Sequence, residues 1–284
     1  PESFHRYWYP NGAEISRFRL QQARYGEVHE GDAVMVYVTE AMNPELQVKA
    51  DRPGPQDIPV LKLNHTRKFF TGIYPYSILS SIFDRAEPGR SSPTLKVSTS
   101  VQEWCGHVYL QLNLEGARYR VQSHSYFEQE ADRNFTLEAS TLEDGLWTQL
   151  RIAPANLPQG PMRIVVSTLY SRLTHRPIAV RQATATLAAG AGESLEGNPL
   201  LVYTLTYPTE KRTVKIFFEK TFPHRIQRWE ERYPGLNGKM AVTRAERTHT
   251  IMIDYWNHHR NPDRALLQDL GLTDPEMEPE TSSE

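Results

Sequence analysis

The chain has 284 residues, of which 39% are hydrophobic and 23% are charged, and its formal net charge is -2. A chain so close to neutral does not favour nucleic acid or an acidic membrane surface as a partner. It contains no apolar run of about 18 residues, so the sequence predicts no transmembrane helix. The single cysteine, Cys105, excludes an intramolecular disulfide.

Short runs of apolar, β-branched and aromatic residues, separated by turn residues, predict strands along most of the chain. The segment 30–32 is predicted as the turn between the first two strands. The predicted strands cover, in chain order, residues 15–25, 33–39, 60–70, 73–83, 94–100, the two arms of a hairpin at 101–132, 147–152, 162–173, 178–187, 200–207, 213–218, 226–231 and 240–255.

This succession predicts an all-β fold, an antiparallel meander that forms a barrel, a half-barrel or a sandwich. One short helix is predicted near the C-terminus, where Asn261 can cap it, Pro262 suits its first turn and Gly271 ends it. We expect residues 1–272 to form a single β-rich domain, in which the Gly-rich stretch 188–198 is a mobile loop and a candidate junction between two halves. The acidic tail 273–284 has little to bury, and we expect it to be disordered.

The most informative segment is the hairpin predicted at residues 101–132. A two-residue turn at 115–116 would pair Leu114 with Ala117 and place His107 opposite His124. Because side chains alternate along a strand, one face of this hairpin is apolar, and we expect that face to pack in the core. The apolar face carries Trp104, Val108, Leu110, Leu112, Leu114, Tyr119, Val121 and Phe127.

The opposite face of the hairpin collects polar and aromatic side chains, and we expect it to form the floor of a binding site. Its arginines would attract an anionic group and its tyrosines would give the site its shape. An ordinary solvated surface is the alternative interpretation of the same pattern. The predicted ligand-binding residues are Glu103, Cys105, His107, Tyr109, Arg118, Arg120, His124, Tyr126 and Glu128.

Two histidines on neighbouring strands also form a candidate metal site. Together with a carboxylate or the Cys105 thiol, His107 and His124 could bind a divalent metal ion, although such pairs also occur stacked in a polar pocket. Catalysis by Cys105 and His107 is disfavoured, because residues two apart on a strand are separated by roughly 7 Å. The chain has no Gly-x-Ser-x-Gly, Walker or Gly-x-Gly-x-x-Gly motif, which disfavours the corresponding hydrolases and nucleotide-binding proteins.

Aromatic residues recur near the ends of the predicted strands. The stretch 66–76 joins Arg67 and Lys68 to four aromatic residues. Aromatic side chains that are not buried would suit a groove for a lipid, a sugar or a partner chain. An exposed hairpin turn is the alternative interpretation of this stretch.

Motifs distributed over nearly the whole chain carry a family resemblance. They are Trp8-Tyr9, Gln22-Ala-Arg-Tyr-Gly-Glu27, Val60-Leu-Lys-Leu-Asn64, Thr71-Gly-Ile-Tyr-Pro-Tyr-Ser77, Gln102-Glu-Trp-Cys-Gly-His107, His124-Ser-Tyr-Phe127, Leu146-Trp-Thr-Gln-Leu-Arg151 and Asp254-Tyr-Trp256. Through these motifs the chain resembles a family of uncharacterised exported lipoproteins of Bacteroidetes-type bacteria. Some members carry a septum-formation-inhibitor label, but the Ser-Pro-Arg-Arg type motif of that enzyme class does not occur in this chain.

The resemblance implies a signal peptide and an acylated cysteine upstream of the present sequence. It therefore implies a lipoprotein in the periplasm or outer membrane of a Gram-negative bacterium, attached to the membrane only through a lipid anchor that this chain does not contain. The family supplies no activity, so the expected function rests on the residues alone.

We expect a non-enzymatic envelope protein that binds a small ligand or a partner protein through its polar, aromatic-rich sheet face. One alternative is a metal-dependent enzyme in which His107, His124 and a carboxylate hold the ion and leave a position open for water. Another is a structural subunit of an envelope assembly, in which the aromatic stretches would be interface anchors.

Overall fold

One large β-sheet makes up most of the fold. The computed structural model describes residues 2–89 and 92–272, and the sixteen strands found there all belong to this sheet. The strands are β1 (Ala13–Arg24), β2 (Glu27–Asn43), β3 (Val48–Lys49), β4 (Ile58–Thr71), β5 (Tyr74–Arg85), β6 (Lys96–Glu103), β7 (Gly106–Glu115), β8 (Arg118–Ser125), β9 (Arg133–Glu138), β10 (Thr141–Leu142), β11 (Gly160–Val165), β12 (Val180–Glu193), β13 (Pro199–Tyr207), β14 (Arg212–Glu219), β15 (Ile226–Pro234) and β16 (Met240–Ile253).

Three short α-helices accompany the sheet in the described residues. They are α1 (Glu2–Trp8), α2 (Glu143–Ile152) and α3 (Thr168–Thr174). Segments of 3₁₀ helix occur at Glu128–Glu130, Pro154–Asn156, Tyr255–Asn257 and Asn261–Leu270. No helix in this part of the chain is long and apolar enough to cross a membrane.

The sheet is open, but it curls until its two edges approach each other. Its strand order is β10-β11-β12-β13-β14-β15-β16-β1-β2-β4-β5-β6-β7-β8-β9, with β3 beside β2. Neighbouring strands are antiparallel, apart from the parallel pair β10 and β11. Residues 139–140 join edge strand β9 directly to edge strand β10, and Arg163 of β11 pairs with Glu138 of β9 at 2.7 Å. The predicted all-β antiparallel meander is confirmed.

The curled sheet encloses helix α2. Every residue of this helix except Gln149 is buried. Leu146 and Leu150 have no exposed surface, and Trp147 packs edge-on against Trp229 of β15, with ring centroids 5.4 Å apart. A helix buried on all sides is stabilised chiefly by the surrounding sheet, because so short a helix is unstable alone in water.

Two buried ion pairs attach α2 to the sheet. At its first residue, Glu143 accepts hydrogen bonds from both terminal nitrogens of Arg212 on β14, at 2.5 and 2.6 Å. Near its last residue, Arg151 donates two hydrogen bonds of 2.7 Å to Glu14 on β1. Such two-point guanidinium–carboxylate pairs have one preferred geometry, so they fix the position of the helix between the two strands.

The predicted strand at 147–152 is wrong, and the one at 162–173 is wrong in its second half. The first lies inside α2, and the second comprises β11 followed by α3. Both helices are largely buried, so their sequences lack the alternation between apolar and polar faces by which a surface helix is recognised.

Three other boundaries also differ from the prediction. The turn expected at 30–32 lies inside β2, and the actual turn is at Tyr25 and Gly26, which both have positive φ. Most of the expected loop at 188–198 is strand, because β12 continues to Glu193. The predicted C-terminal helix is a 3₁₀ segment, and the predicted disordered tail at 273–284 lies outside the described residues.

Asp84 of β5 is a buried carboxyl group with incomplete hydrogen bonding. Its Oδ1 accepts hydrogen bonds from Thr94 Oγ1 at 2.9 Å and from Gln149 Nε2 at 3.1 Å, whereas Oδ2 has no partner in the protein. Burial raises the pKa of Asp84 to about 7. The pKa is therefore higher in the folded than in the unfolded chain, so the neutral carboxyl stabilises the fold below about pH 4 and this stabilisation is lost as the pH rises towards 7.

We expect Asp84→Asn to become progressively stabilising, relative to the parent, between pH 4 and pH 7. The amide stays neutral while the carboxyl must ionise in the core, so the difference in unfolding free energy should grow by up to about 4 kcal/mol and then level off. Urea unfolding at a series of pH values measures this, with exposed Asp51→Asn as the control. A difference that does not change with pH would show that Asp84 is ionised in the fold.

Candidate ligand-binding site

The β7–β8 hairpin has its turn one residue later than predicted. Glu115 pairs with Arg118, so the turn residues are Gly116 and Ala117, and Gly116 has a φ of 59°. A positive φ is the conformation that glycine adopts most readily, which fits a tight hairpin turn here. Because each residue's cross-strand partner moves by two positions, the assignment of residues to faces does not change.

In the shifted register the two predicted metal ligands are no longer directly opposite each other. His124 lies opposite Tyr109, and His107 pairs with Gln102 of β6 on the other side of β7. The prediction that the two histidines face each other is wrong. Within residues 2–89 and 92–272, no group of three or more His, Cys, Asp or Glu side chains is placed to hold a metal ion.

The predicted strand is also interrupted, because β6 ends at Glu103 and β7 begins at Gly106. Trp104 and Cys105 form the turn between them, so Trp104 is 70% exposed rather than part of the core. The backbone N–H of Cys105 donates to Glu103 Oε2 at 2.6 Å. The Glu103 carboxylate also raises the pKa of the Cys105 thiol, which makes the thiolate less available.

The nine predicted ligand-binding residues fall into three places. Glu103 and Cys105 lie at the β6–β7 turn, and Tyr126 and Glu128 lie in the connection between β8 and β9. The other five lie on the outer face of the curled sheet, opposite the buried Val108, Leu112 and Val121. These five are His107, Tyr109, Arg118, Arg120 and His124.

The outer-face residues make local contacts. His124 pairs with Asp132 at 3.2 Å and lowers the pKa of that carboxyl. Arg120 pairs with Glu115 at 2.5 Å, and both side chains are largely exposed. Surface pairs of this kind contribute little to stability. A more enclosed space lies on the other face of the same strands.

A cavity of about 180 Å³ lies between α3 and the inner face of β6, β7, β8 and β9. It is bordered by the same hairpin that the sequence singled out, but on its apolar side. None of the nine predicted residues lines it. The apolar part of its wall consists of Val101, Val108, Leu110, Phe135, Pro177 and Ile178.

Arg172 of α3 places a buried positive charge beside this cavity. Its side chain is 3% exposed, and its Nη2 donates to Glu103 Oε1 at 3.2 Å. The guanidinium carbon lies 4.5 Å from the centroid of the Phe127 ring, and Nε has no hydrogen-bond partner in the protein. Burial lowers the pKa of Arg172, which shows that its surroundings compensate the charge incompletely.

Ser171, on α3, and His175, just after its end, line the cavity together with Arg172. The Ser171 hydroxyl is buried without a partner, and the residue lines the cavity. His175 Nδ1 pairs with the carboxylate of Glu130, and Nη1 of Arg172 lies 3.3 Å from His175 Nε2. All three residues line the same cavity, so their side chains can act on one ligand.

The start of α3 is fixed by its contacts with α2. Ser167 caps the helix by accepting hydrogen bonds from Leu169 and Tyr170, and Asp144 accepts from the backbone N–H of Thr168 at 2.9 Å. The helix ends after Thr174, since His175 adopts a left-handed conformation. This short, anchored helix therefore holds its polar residues at the cavity.

The charged groups around the cavity are predominantly positive. Arg133, Arg172 and Arg176 line it, against the single carboxylate of Glu130. Arginines bind carboxylates and phosphates well, because the planar guanidinium matches two acceptor oxygens. The arrangement suits an anion that also carries an apolar portion.

Sequence reasoning missed the α3 residues because it assigned 162–173 to a strand. A signal was available in Ser167, a residue type favoured at helix N-termini, followed by the basic residues Arg172, His175 and Arg176 in what becomes the last turn and just beyond it. A strand would have pointed Ser171 and Arg172 to opposite faces, whereas a helix brings both to the cavity.

Comparison with known proteins gave no match: no family model fits the chain, and no curated protein or solved structure is similar to it. The resemblance to exported lipoproteins therefore stays a prediction. The function has to be inferred from the side chains and the geometry of this chain.

We expect Glu103→Gln to destabilise the protein by about 3 to 5 kcal/mol, because it leaves the buried Arg172 without its carboxylate partner. Glu115→Gln is the matched control, since its pair with Arg120 lies on the exposed face of the same hairpin and should contribute about 0 to 1 kcal/mol. Urea unfolding of both variants measures the difference. Equal effects would mean that the Glu103–Arg172 pair is not a buried ion pair.

Proposed function

We propose that the protein is a non-enzymatic binding protein of the bacterial envelope and that it holds a small amphiphilic anion in the cavity between α3 and strands β6 to β9. The anionic group, a carboxylate or a phosphate, contacts Arg172 and Ser171. A short hydrocarbon portion lies against the apolar wall. The envelope location rests on the family resemblance, and the ligand class rests on the cavity.

The observation that carries the proposal is a pair of buried polar groups without partners. Ser171 and Arg172 both line the cavity, and Ser171 Oγ and Arg172 Nε are buried without a hydrogen-bond partner in the protein. Leaving such groups unsatisfied is costly, and nearly all buried donors in folded proteins are paired. A ligand oxygen placed between them would satisfy both groups and would also offset the charge of the guanidinium.

The apolar wall supports an amphiphilic rather than a purely ionic ligand. Val101, Val108 and Leu110 are buried residues on adjacent strands, and they face the cavity beside Phe135. Typical ligand sites have this composition, with mostly apolar walls and a few polar groups that fix orientation. A simple inorganic anion would leave these walls uncovered.

The ligand class is tested by titration calorimetry with octanoate, octanol and acetate. We expect octanoate to bind more tightly than either of the others, because octanol lacks the charge and acetate lacks the hydrocarbon chain. Arg172→Met should weaken octanoate binding by about tenfold to a hundredfold, which is the usual contribution of a hydrogen bond to a charged group. Arg118→Met, on the outer face, is the control and should bind octanoate like the parent.

A second variant separates binding from folding, since Arg172→Met also leaves Glu103 alone in the interior. Ser123 lines the cavity and is only half-buried, so Ser123→Phe should fill the space without changing any charge. It should abolish octanoate binding while circular dichroism stays that of the parent. The proposal is wrong if the parent binds octanol as well as octanoate, or if the folded Ser123→Phe variant binds octanoate normally.

A further inference from the structure

Four consecutive hairpins of the sheet turn at the same end of the molecule. They are β1–β2, β4–β5, β6–β7 and β8–β9, which follow one another in the strand order. The connection of each exposes a large apolar or aromatic side chain. These four residues, which we call the tip row, are Tyr25 (49% exposed), Ile73 (82%), Trp104 (70%) and Tyr126 (81%).

The spacing of the tip row follows from the sheet. Neighbouring hairpins are displaced by two strands, so adjacent tips lie roughly 10 Å apart along the rim. Phe70, next to the β4–β5 turn, and Leu236, in the β15–β16 turn at the same end, are also exposed. The β7–β8 turn at the opposite end has Glu115 and Arg118 beside it instead.

Two residues of the tip row contact aromatic side chains beneath them. Trp104 stacks on Tyr74, with ring centroids 6.2 Å apart, and the hydroxyl of Tyr25 hydrogen-bonds to that of Tyr76 at 2.8 Å. Tyr76 in turn stacks on Phe69 with parallel rings 4.9 Å apart. The exposed rings of Trp104 and Tyr25 therefore contact a packed layer of aromatic side chains.

A lipid bilayer fits this row better than a protein partner does. Trp and Tyr combine an apolar ring with a hydrogen-bonding group and are enriched at membrane interfaces. A protein partner would need a separate pocket for each isolated tip, whereas the headgroup region accepts all of them at once. Lys68 and Lys239 are exposed at this end and can contact anionic headgroups.

Part of the cavity lining lies at the same end of the molecule as the tip row. Gln129, Glu130 and Arg133, which line it, belong to the β8–β9 connection that carries Tyr126 or to the strand just after it. His175 and Arg176, at the exposed end of α3, line it as well. An amphiphile that leaves a bilayer at the tip row would therefore enter beside the cavity.

We propose that the tip row inserts into the headgroup region of a lipid bilayer and brings the cavity to the membrane surface. The exposed residues of the tip row support membrane docking by themselves. Only the transfer of a ligand from the bilayer to the cavity rests on the proposed function. Glu27 and Glu128 are exposed at the same end. Apolar contacts rather than net charge therefore supply most of the binding.

The test is co-sedimentation with phosphatidylcholine vesicles, with and without phosphatidylglycerol. The parent should bind both kinds, and more strongly with phosphatidylglycerol. The triple variant Ile73→Ser/Trp104→Ser/Tyr126→Ser should bind at least about tenfold more weakly, since each side chain loses the gain from leaving water. The matched control Leu46→Ser/Leu195→Ser changes two exposed residues at the opposite end and should bind like the parent.

Fluorescence locates the contact within the molecule. In a Trp256→Phe background, Trp104 is the only exposed tryptophan of the chain, because Trp8, Trp147 and Trp229 are buried. Brominated phospholipids should therefore quench the exposed part of the emission. The absence of quenching in a protein that sediments with vesicles would overturn the proposal, because the contact would then lie elsewhere.

Further outcomes separate this proposal from the preceding one. The triple variant should bind octanoate from solution like the parent, since none of its three residues lines the cavity. If the parent binds neither kind of vesicle, or if the triple variant instead dissolves a dimer seen by sedimentation velocity, membrane docking is overturned. Octanoate binding would be unaffected in both cases, so the titrations with octanoate test the cavity independently of membrane docking.

Discussion

Two buried ion pairs of helix α2 determine where the rest of the interior lies. Glu143 and Arg151 sit at opposite ends of the helix, about 12 Å apart along its axis, and each is held by a charged partner on a different strand. Removing one partner would leave a buried charge uncompensated, so the pairs define a single position for the helix. The oxygen atoms of Glu143 and Asp144 also accept hydrogen bonds from the start of α3.

The cavity is a consequence of this arrangement. Helix α3 starts at a fixed point on α2 and is only seven residues long, so it covers the inner face of β6 to β9 incompletely. Its Arg172 reaches Glu103 at the end of β6, and the next two residues form the turn that displays Trp104. The ion pair thus connects the wall of the cavity to the rim, so that a ligand bound to Arg172 would act on a residue adjacent to the exposed tip.

The sequence predicts those parts of this fold whose burial follows from the order of apolar and polar residues within one strand. Alternation assigns Val108, Leu112 and Val121 correctly to the buried face, because a strand covered on one side must alternate. It does not predict α2, which is buried on nearly all sides by surroundings that include strands more than 60 residues away in the chain. The candidate site was missed for the same reason, since Arg172 borders the cavity only when residues 168–174 are helical. A turn shifted by one residue was enough to remove the direct pairing of His107 with His124.

The pairing of β1 with β16 joins the first strand in the chain to the last one described, with Ala13 opposite Ile253. Contacts between residues so distant in the chain form slowly, because a long loop must close before they gain any stabilisation. The strands β1, β2 and β4 to β9 can form a meander as soon as they are synthesised. Their apolar inner face stays exposed until α2, α3 and the later strands are synthesised and cover it. In the cell, the partly synthesised chain would therefore need protection from aggregation until β16 has left the ribosome.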